Sequence, residues 1–169
     1  TYLYTVPTDD PPAWVAPVIV KASDDQTLSA VLDPRFDIRR GAIFDTSAAV
    51  QGARITSLPE PSAVEATVTR YDPGHIDVDL RQPAPRGSAL MVSENYYPGW
   101  VATADGKPAV VGRADYVLIG VALPEGARHI DLTFTSAAYE RGKVITIVAI
   151  LIALAMLAAG IALDKKQHA

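Results

Sequence analysis

SENYYPGWVATADGKP, residues 93–108, contains the clearest signal for the fold. Asp105-Gly106 lies between the segments GWVATA and KPAVV, and Asp-Gly is a favoured two-residue hairpin turn because both central positions need a positive φ. The stretch therefore predicts a β-hairpin. A role for Asp105 as an acid or base is the alternative, although the turn by itself explains the motif.

Strand-like segments continue on both sides of this hairpin. HIDVDLR (75–81) places Ile76, Val78 and Leu80 on one face, and the turn residues DPG (72–74) join it to SAVEATVTRY (62–71). Further strands are predicted in the segments WVAPVIVKA (14–22), GAIFD (41–45), ARITSL (53–58), SALMVSE (88–94), YVLIGVAL (116–123) and RHIDLTFTS (128–136). Short strands separated by Pro and Gly predict a mainly β fold, a β-sandwich over residues 1–138.

One short accessory helix is predicted within this domain. Ser23 and Gln26 have the spacing of a capping box, in which each side chain bonds the other residue's backbone. Leu28, Val31 and Leu32 follow on one helical face. We therefore expect a helix that begins after Ser23 and buries these three side chains.

The C-terminal region, residues 139–169, predicts a single transmembrane α-helix. VITIVAILIALAMLAAGIAL (144–163) contains no charged residue and would span about 30 Å as a helix, the thickness of a bilayer core. A buried core helix is the alternative. Residues suited to the membrane interface flank the segment, namely Tyr139, Arg141, Lys143, Lys165 and Lys166.

Small residues recur in this helix at a spacing of four. The pairs are Ala149 with Ala153, Ala155 with Ala159, and Ala158 with Ala162. Such a face allows close packing against another membrane helix. A general abundance of alanine explains the pattern equally well.

Composition excludes several classes of function. The net charge of −4 argues against nucleic-acid binding, and the absence of cysteine excludes disulfides and thiolate chemistry. His75, His129 and His168 show no metal-ligand spacing, so neither a metal nor a cofactor is predicted. Asp77 and Asp79 share one face of a strand and could form a carboxylate pair for glycoside chemistry. The same pattern is typical of a solvent-exposed strand face, so no catalytic residue is assigned.

The aromatic motif SENYYPGW (93–100) allows two interpretations. Tyr96, Tyr97 and Trp100 could stack on a sugar ring while Glu94 and Asn95 bond its hydroxyls. Alternatively, Pro-Gly turns the chain between two strands and the aromatic rings fill the end of the core. The second interpretation needs no ligand.

Several motifs together resemble the bacterial YfhO-type membrane proteins. They are SENYYPGW, DGKP, RADYVLIGVALPEG and HIDLTFT, with weaker similarity in AWVAP and LDPRFDIRRGAIFD. This resemblance implies the C-terminal end of a polytopic glycosyltransferase that uses polyprenyl-phosphate sugars. It also implies an extracytoplasmic domain at residues 1–138 and a cytoplasmic C-terminus in the bacterial inner membrane. The family's acidic catalytic residues have no counterpart in this chain.

Three functions are consistent with these observations. The first is a non-catalytic, single-pass accessory or structural subunit of a larger membrane complex, such as a respiratory or photosynthetic one. Its partners would be lipid and other integral membrane subunits. The second is the acceptor- or sugar-positioning domain of a YfhO-like glycosyltransferase. The third is a membrane-tethered carbohydrate-binding module.

Overall fold

A computed structural model describes residues 11–167, with the side chains of residues 137, 138, 140 and 157–167 left out of the description. The chain divides into two compact units, Thr1–Phe134 and Thr135–Ala169. Within residues 11–167, the first unit contains every strand and the second contains one long helix.

Among the described residues, ten strands and one short helix form the first unit, which we call the β unit. In chain order they are β1 (Ala13–Ala16), β2 (Ile19–Ala22), α1 (Asp24–Val31), β3 (Ala42–Asp45), β4 (Ala66–Asp72), β5 (His75–Leu80), β6 (Ala89–Asn95), β7 (Trp100–Ala104), β8 (Lys107–Ala114), β9 (Leu118–Ala122) and β10 (His129–Phe134). Both predicted hairpins are present, β4 with β5 and β7 with β8. Asp105 and Gly106 have φ values of 49° and 75°, as the Asp-Gly turn requires.

The mainly β prediction is confirmed, but the strands form one nearly closed sheet and not the two separate sheets of a sandwich. Its order is β1-β6-β9-β8-β7-β10-β5-β4, with neighbouring strands antiparallel. Strand β8 explains the difference, because its first residues pair with β7 and its later residues pair with β9. This one long strand joins the layers that a sandwich would keep apart. A cavity of about 260 Å³ lies beside β1 and the start of β4, the two ends of the sheet.

The interior of this sheet is the main hydrophobic core. Ile76, Val78 and Leu80 are buried as their alternation predicts, and Ile130 and Leu132 lie beside them on the neighbouring strand β10. A second cluster lies on the opposite face of β1 and β6, where β2 and β3 cover Trp14, Ala16, Ala89 and Met91. Strands β1 and β6 are therefore apolar on both faces, which removes the alternation typical of a half-exposed strand.

Two local predictions are wrong. ARITSL (53–58) forms no strand and is mostly exposed. Helix α1 does begin after Ser23 with the predicted capping box, yet Leu28 and Leu32 are exposed and Thr27 is its buried residue. The capping box is decided by neighbouring residues, whereas the buried face depends on which side of the helix the sheet covers.

The second unit is helix α2 (Ala137–Gln167). The hydroxyl of Ser136 accepts a hydrogen bond of 3.2 Å from the backbone N–H of Tyr139, as an N-cap residue does. No helix among the described residues combines the length and hydropathy that crossing a membrane requires. The membrane span over residues 144–163 stays a prediction.

Candidate functional site

The aromatic motif forms a corner between β6 and β7. The corner is held by backbone hydrogen bonds: the N–H of Trp100 bonds the carbonyl of Tyr97, and the N–H of Tyr96 donates to the carbonyl of Val117 at 2.7 Å. Gly99 has a φ of 126°, a conformation that side chains disfavour. The Pro-Gly pair therefore turns the chain here, as one of the two interpretations predicts.

Trp100 and Glu94 take part in the structure of this corner. The indole ring of Trp100 packs against the main core and meets the ring of Phe134 edge to face, with 5.5 Å between the centroids. The carboxylate of Glu94 accepts a hydrogen bond from the Tyr71 hydroxyl, and this bond raises the pKa of Tyr71. Of the five predicted ligand-binding residues, these two therefore have structural roles, and Tyr96 also packs partly against the main core.

The other three residues line an open groove. Asn95, Tyr96 and Tyr97 form one wall, Arg113, Tyr116 and Val117 form the other, and the volume is about 350 Å³. The side chain of Tyr97 is 60% exposed and that of Tyr116 is 37% exposed. The groove thus presents two accessible aromatic rings beside one amide and one guanidinium group.

Arg113 is the fixed point of the groove. Its Nη2 donates to Asp24 and to Asp45, at 2.5 Å in both cases, and its Nη1 donates to the carbonyl of Tyr116 at 3.2 Å. The guanidinium carbon lies 5.9 Å from the centre of the Tyr116 ring, within cation–π distance. Hydrogen bonds from Ser47, which have the largest effect, and from Arg113 hold the pKa of Asp45 well below its usual range.

Comparison with known proteins identifies the family of this domain. The family described as bacterial membrane protein YfhO matches residues 60–146, just over half of the chain. The chain belongs to the YfhO family. No curated protein and no solved structure matched the chain.

The YfhO match contains the whole groove and extends from the segment before β4 into α2. It includes the motifs SENYYPGW, DGKP and RADYVLIGVALPEG, on which the resemblance depends. The weaker upstream motifs lie before residue 60, as do Asp24 and Asp45. Membership of this family supports a location in a bacterial membrane.

Sequence reasoning missed the two strained residues between β8 and β9 of the YfhO domain. Asp115 and Tyr116 have φ values of 44° and 75°, which residues other than glycine rarely adopt. Asp115 is buried, and it exchanges two hydrogen bonds of 2.9 Å with the backbone of Ile43. Its Oδ2 is buried and has no hydrogen-bond partner in the described part of the chain. The sequence signal available for this turn was the segment RADY, residues 113–116.

The environment of Asp115 changes its acidity. Desolvation raises the pKa of this carboxyl group to about 6, against the opposing effect of the hydrogen bond from Ile43. The backbone bonds dock β3 beside the end of β8, and the positive φ values direct Tyr116 away from the core. Asp115 therefore positions one wall of the groove.

The remaining predicted residues lie elsewhere. Asp77 and Asp79, on the outer face of β5, are each paired with a histidine, His75 at 3.0 Å and His129 at 2.6 Å. In α2, the ammonium group of Lys143 lies 5.9 Å from the centre of the Tyr139 ring. Arg141, Ala149, Ala153 and Ala155 are exposed. The side chains of Ala158, Ala159, Ala162, Lys165 and Lys166 lie outside the described residues.

Proposed function

We propose that the β unit positions the sugar or the acceptor for a YfhO-like glycosyltransferase by binding a glycan in the groove of Tyr97, Tyr116 and Arg113. The observation that supports this proposal is a groove in which two exposed tyrosine rings lie with Asn95 and with an arginine that is itself fixed and that contacts Tyr116. This chain would supply binding and no catalytic residue. A membrane-tethered carbohydrate-binding module would use the same groove, so the two functions differ in the ligand that is preferred.

Several physical features of the groove support a glycan. Aromatic rings bind the apolar faces of pyranose rings, while amide and guanidinium groups bind hydroxyls. The volume of about 350 Å³ is at the lower end of the range for small-molecule sites, about 300–1,000 Å³. Because Arg113 is held by Asp24 and Asp45, ordering it on binding costs little conformational entropy.

Replacing Tyr97 or Tyr116 with alanine is expected to weaken glycan binding by about tenfold, the loss of one ring contact of about 1.4 kcal/mol. Stability should change little for Tyr97→Ala, because this ring is exposed. The measurement is NMR or calorimetric titration with an oligosaccharide and with a water-soluble polyprenyl-phosphate-sugar analogue.

Two further variants serve as controls for this titration. Tyr139→Ala removes an exposed tyrosine of α2 that does not line the groove, and it should leave binding unchanged. Trp100→Ala should lower the free energy of unfolding by about 3 kcal/mol, since the ring packs against the core. Loss of binding in Trp100→Ala with full stability would contradict the corner interpretation, and unchanged binding in both groove variants would remove the glycan proposal.

We also propose that residues 144–163 of α2 span the bacterial inner membrane, with the β unit extracytoplasmic and the C-terminus cytoplasmic. Large apolar side chains of α2 are exposed at Ile145, Ile147, Val148, Ile150, Leu151, Ile152, Leu154 and Met156. Positions 145–148 alone advance around most of a helical turn, so cover is needed on more than one side. Lipid or a neighbouring membrane helix would provide it.

An accessory subunit of a larger membrane complex is the second proposal, favoured by this uncovered helix surface. Gentle detergent extraction followed by native separation and mass spectrometry distinguishes the two. Stoichiometric migration with other integral membrane subunits is the result expected of an accessory subunit. Migration of these residues as part of one long polytopic polypeptide is the result expected of a glycosyltransferase domain and would contradict the subunit proposal.

A further inference from the structure

We propose that the outer face of β5 and β10 binds a divalent transition-metal ion. The ligands are Nε2 of His75 and one carboxylate oxygen each from Asp77 and Asp131. All three residues belong to the β unit, and none lines the groove. The proposal is therefore independent of glycan binding.

Strand pairing brings these residues together although they are 56 positions apart at most. In the antiparallel register Asp131 lies opposite Asp77, and Thr133 lies opposite His75. The alternate residues Ile76 and Leu132 are buried in the core beneath them. A packed two-strand framework thus fixes the backbone from which the three side chains project.

The distances fit a tetrahedral ion. Nε2 of His75 lies 3.0 Å from Oδ1 of Asp77 and 3.1 Å from Oδ2 of Asp131, and the three ligand atoms all lie within 4.8 Å of one another. With Zn–N and Zn–O bonds of about 2.0–2.1 Å, neighbouring ligand atoms of a tetrahedral site are about 3.3 Å apart. Two of the three separations therefore need to change by only a few tenths of an ångström.

The charge and the surroundings of the three residues also suit a divalent cation. Two carboxylates and a neutral imidazole supply a charge of −2. The hydroxyl of Thr133 donates to Oδ1 of Asp131 at 3.2 Å, which leaves Oδ2 directed at His75, as an outer-shell partner of a metal ligand would. The nearby guanidinium of Arg70 is held by Asp72 at 2.6 Å.

Partial burial makes the cluster accessible to an ion while limiting its solvation. The side chains of His75, Asp77 and Asp131 are 28%, 19% and 34% exposed. Three protein ligands leave a fourth position for water or another ligand. The competing explanation is an imidazolium ring hydrogen-bonded to two carboxylates, which would need no metal.

Calorimetric titration with ZnCl₂ tests the proposal on the full chain in detergent, prepared without a histidine tag. We expect one zinc ion per chain and a rise in the unfolding temperature on adding zinc. His75→Ala and Asp131→Asn should each weaken zinc binding by at least about 100-fold and remove the thermal effect, since loss of an outer-shell partner alone costs 10–100-fold. Thr133→Val, which removes that partner, should weaken binding by about tenfold.

His129→Gln is the matched control, because His129 forms the adjacent histidine–aspartate pair on the same two strands. It should leave zinc affinity unchanged. The proposal is overturned if the wild-type chain binds no zinc, if His75→Ala binds as tightly as the wild type, or if His129→Gln alone abolishes binding. Circular dichroism of each variant checks that the sheet is intact.

Discussion

Replacing Gly120 with alanine is expected to lower the free energy of unfolding by about 3 kcal/mol, at the upper end of the usual cost of overpacking. A Cβ atom at this position would lie 2.5 Å from Cζ of Phe44 and 2.8 Å from Cβ of Ala114. Phe44 is completely buried, so its ring has no free space into which it can move. The strand must shift or the ring must leave its rotamer.

Gly112 provides a matched control for this substitution. It lies directly opposite Gly120 in the β8–β9 register, and the Phe44 ring packs over both. A Cβ at Gly112 would lie 3.0 Å from Cβ of Ala48 and 3.1 Å from the Phe44 ring, so Gly112→Ala is expected to cost about 1 kcal/mol. Phe44→Leu in the Gly120→Ala background should recover part of the loss, because the clashing ring atoms are gone.

Urea unfolding followed by tryptophan fluorescence measures these effects. Both tryptophans, Trp14 and Trp100, lie in strands of the β unit, so their fluorescence reports on that unit. A cost for Gly120→Ala no greater than that for Gly112→Ala would contradict the position of the Phe44 ring. The double-mutant cycle with Phe44→Leu gives the coupling energy directly.

Asp115→Asn is expected to make the β unit more stable than the wild type at neutral pH, whereas Asp115→Ala is expected to destabilise it. Asparagine keeps an acceptor for the N–H of Ile43, tolerates positive φ and removes the buried charge. Alanine leaves that buried N–H without its side-chain partner, at a cost of about 1–3 kcal/mol.

The pH dependence separates charge from hydrogen bonding. Burial raises the folded-state pKa of Asp115 from 3.8 to about 6. The folded state therefore binds this proton more tightly than the unfolded state. The contribution of protonated Asp115 to the free energy of unfolding is fully present below about pH 3.8 and is lost as the pH rises through about 6. A difference of two pKa units corresponds to about 3 kcal/mol.

Unfolding free energies measured between about pH 4 and pH 7 test this assignment. The stability of Asp115→Asn relative to the wild type should increase with pH up to about 6, the folded-state pKa, and then level off. If the difference in unfolding free energy between Asp115→Asn and the wild type did not change with pH, the Asp115 carboxyl group would be solvated in the folded protein and its pKa would be ordinary. Asp115→Ala, which also lacks the charge, should lose the same pH-dependent component while remaining less stable than Asp115→Asn.

Local chemistry in the sequence was enough to predict the hairpins and the start of α1. The Asp105-Gly106 turn, the DPG turn and the Ser23 capping box each depend on residues within a few positions of one another. The alternation of Ile76, Val78 and Leu80 also identified the buried face of β5 correctly. The motifs of the aromatic corner and the RADY segment led to the YfhO family, which the match over residues 60–146 then established.

Contacts between distant residues decided everything else. Whether Leu28 and Leu32 are buried depends on the cover that the rest of the fold provides, and the sheet closes because β8 pairs with both β7 and β9. The groove needs Arg113 to meet Asp24, which is 89 positions away. The histidine–aspartate cluster needs a strand register that no local spacing encodes.

The sequence by itself thus determined the turns, the alternating strands, the helix cap and the family, because each depends on short-range sterics, hydrogen bonding or a contiguous motif. Only the tertiary structure decided which faces are buried, where Phe44 rests on Gly112 and Gly120, and how Asp115 came to be a buried acid. The physical reason is that burial, desolvation and the convergence of side chains are properties of residues that meet in space. A pattern along the chain gives the residue types but not the contacts between residues that are distant in sequence.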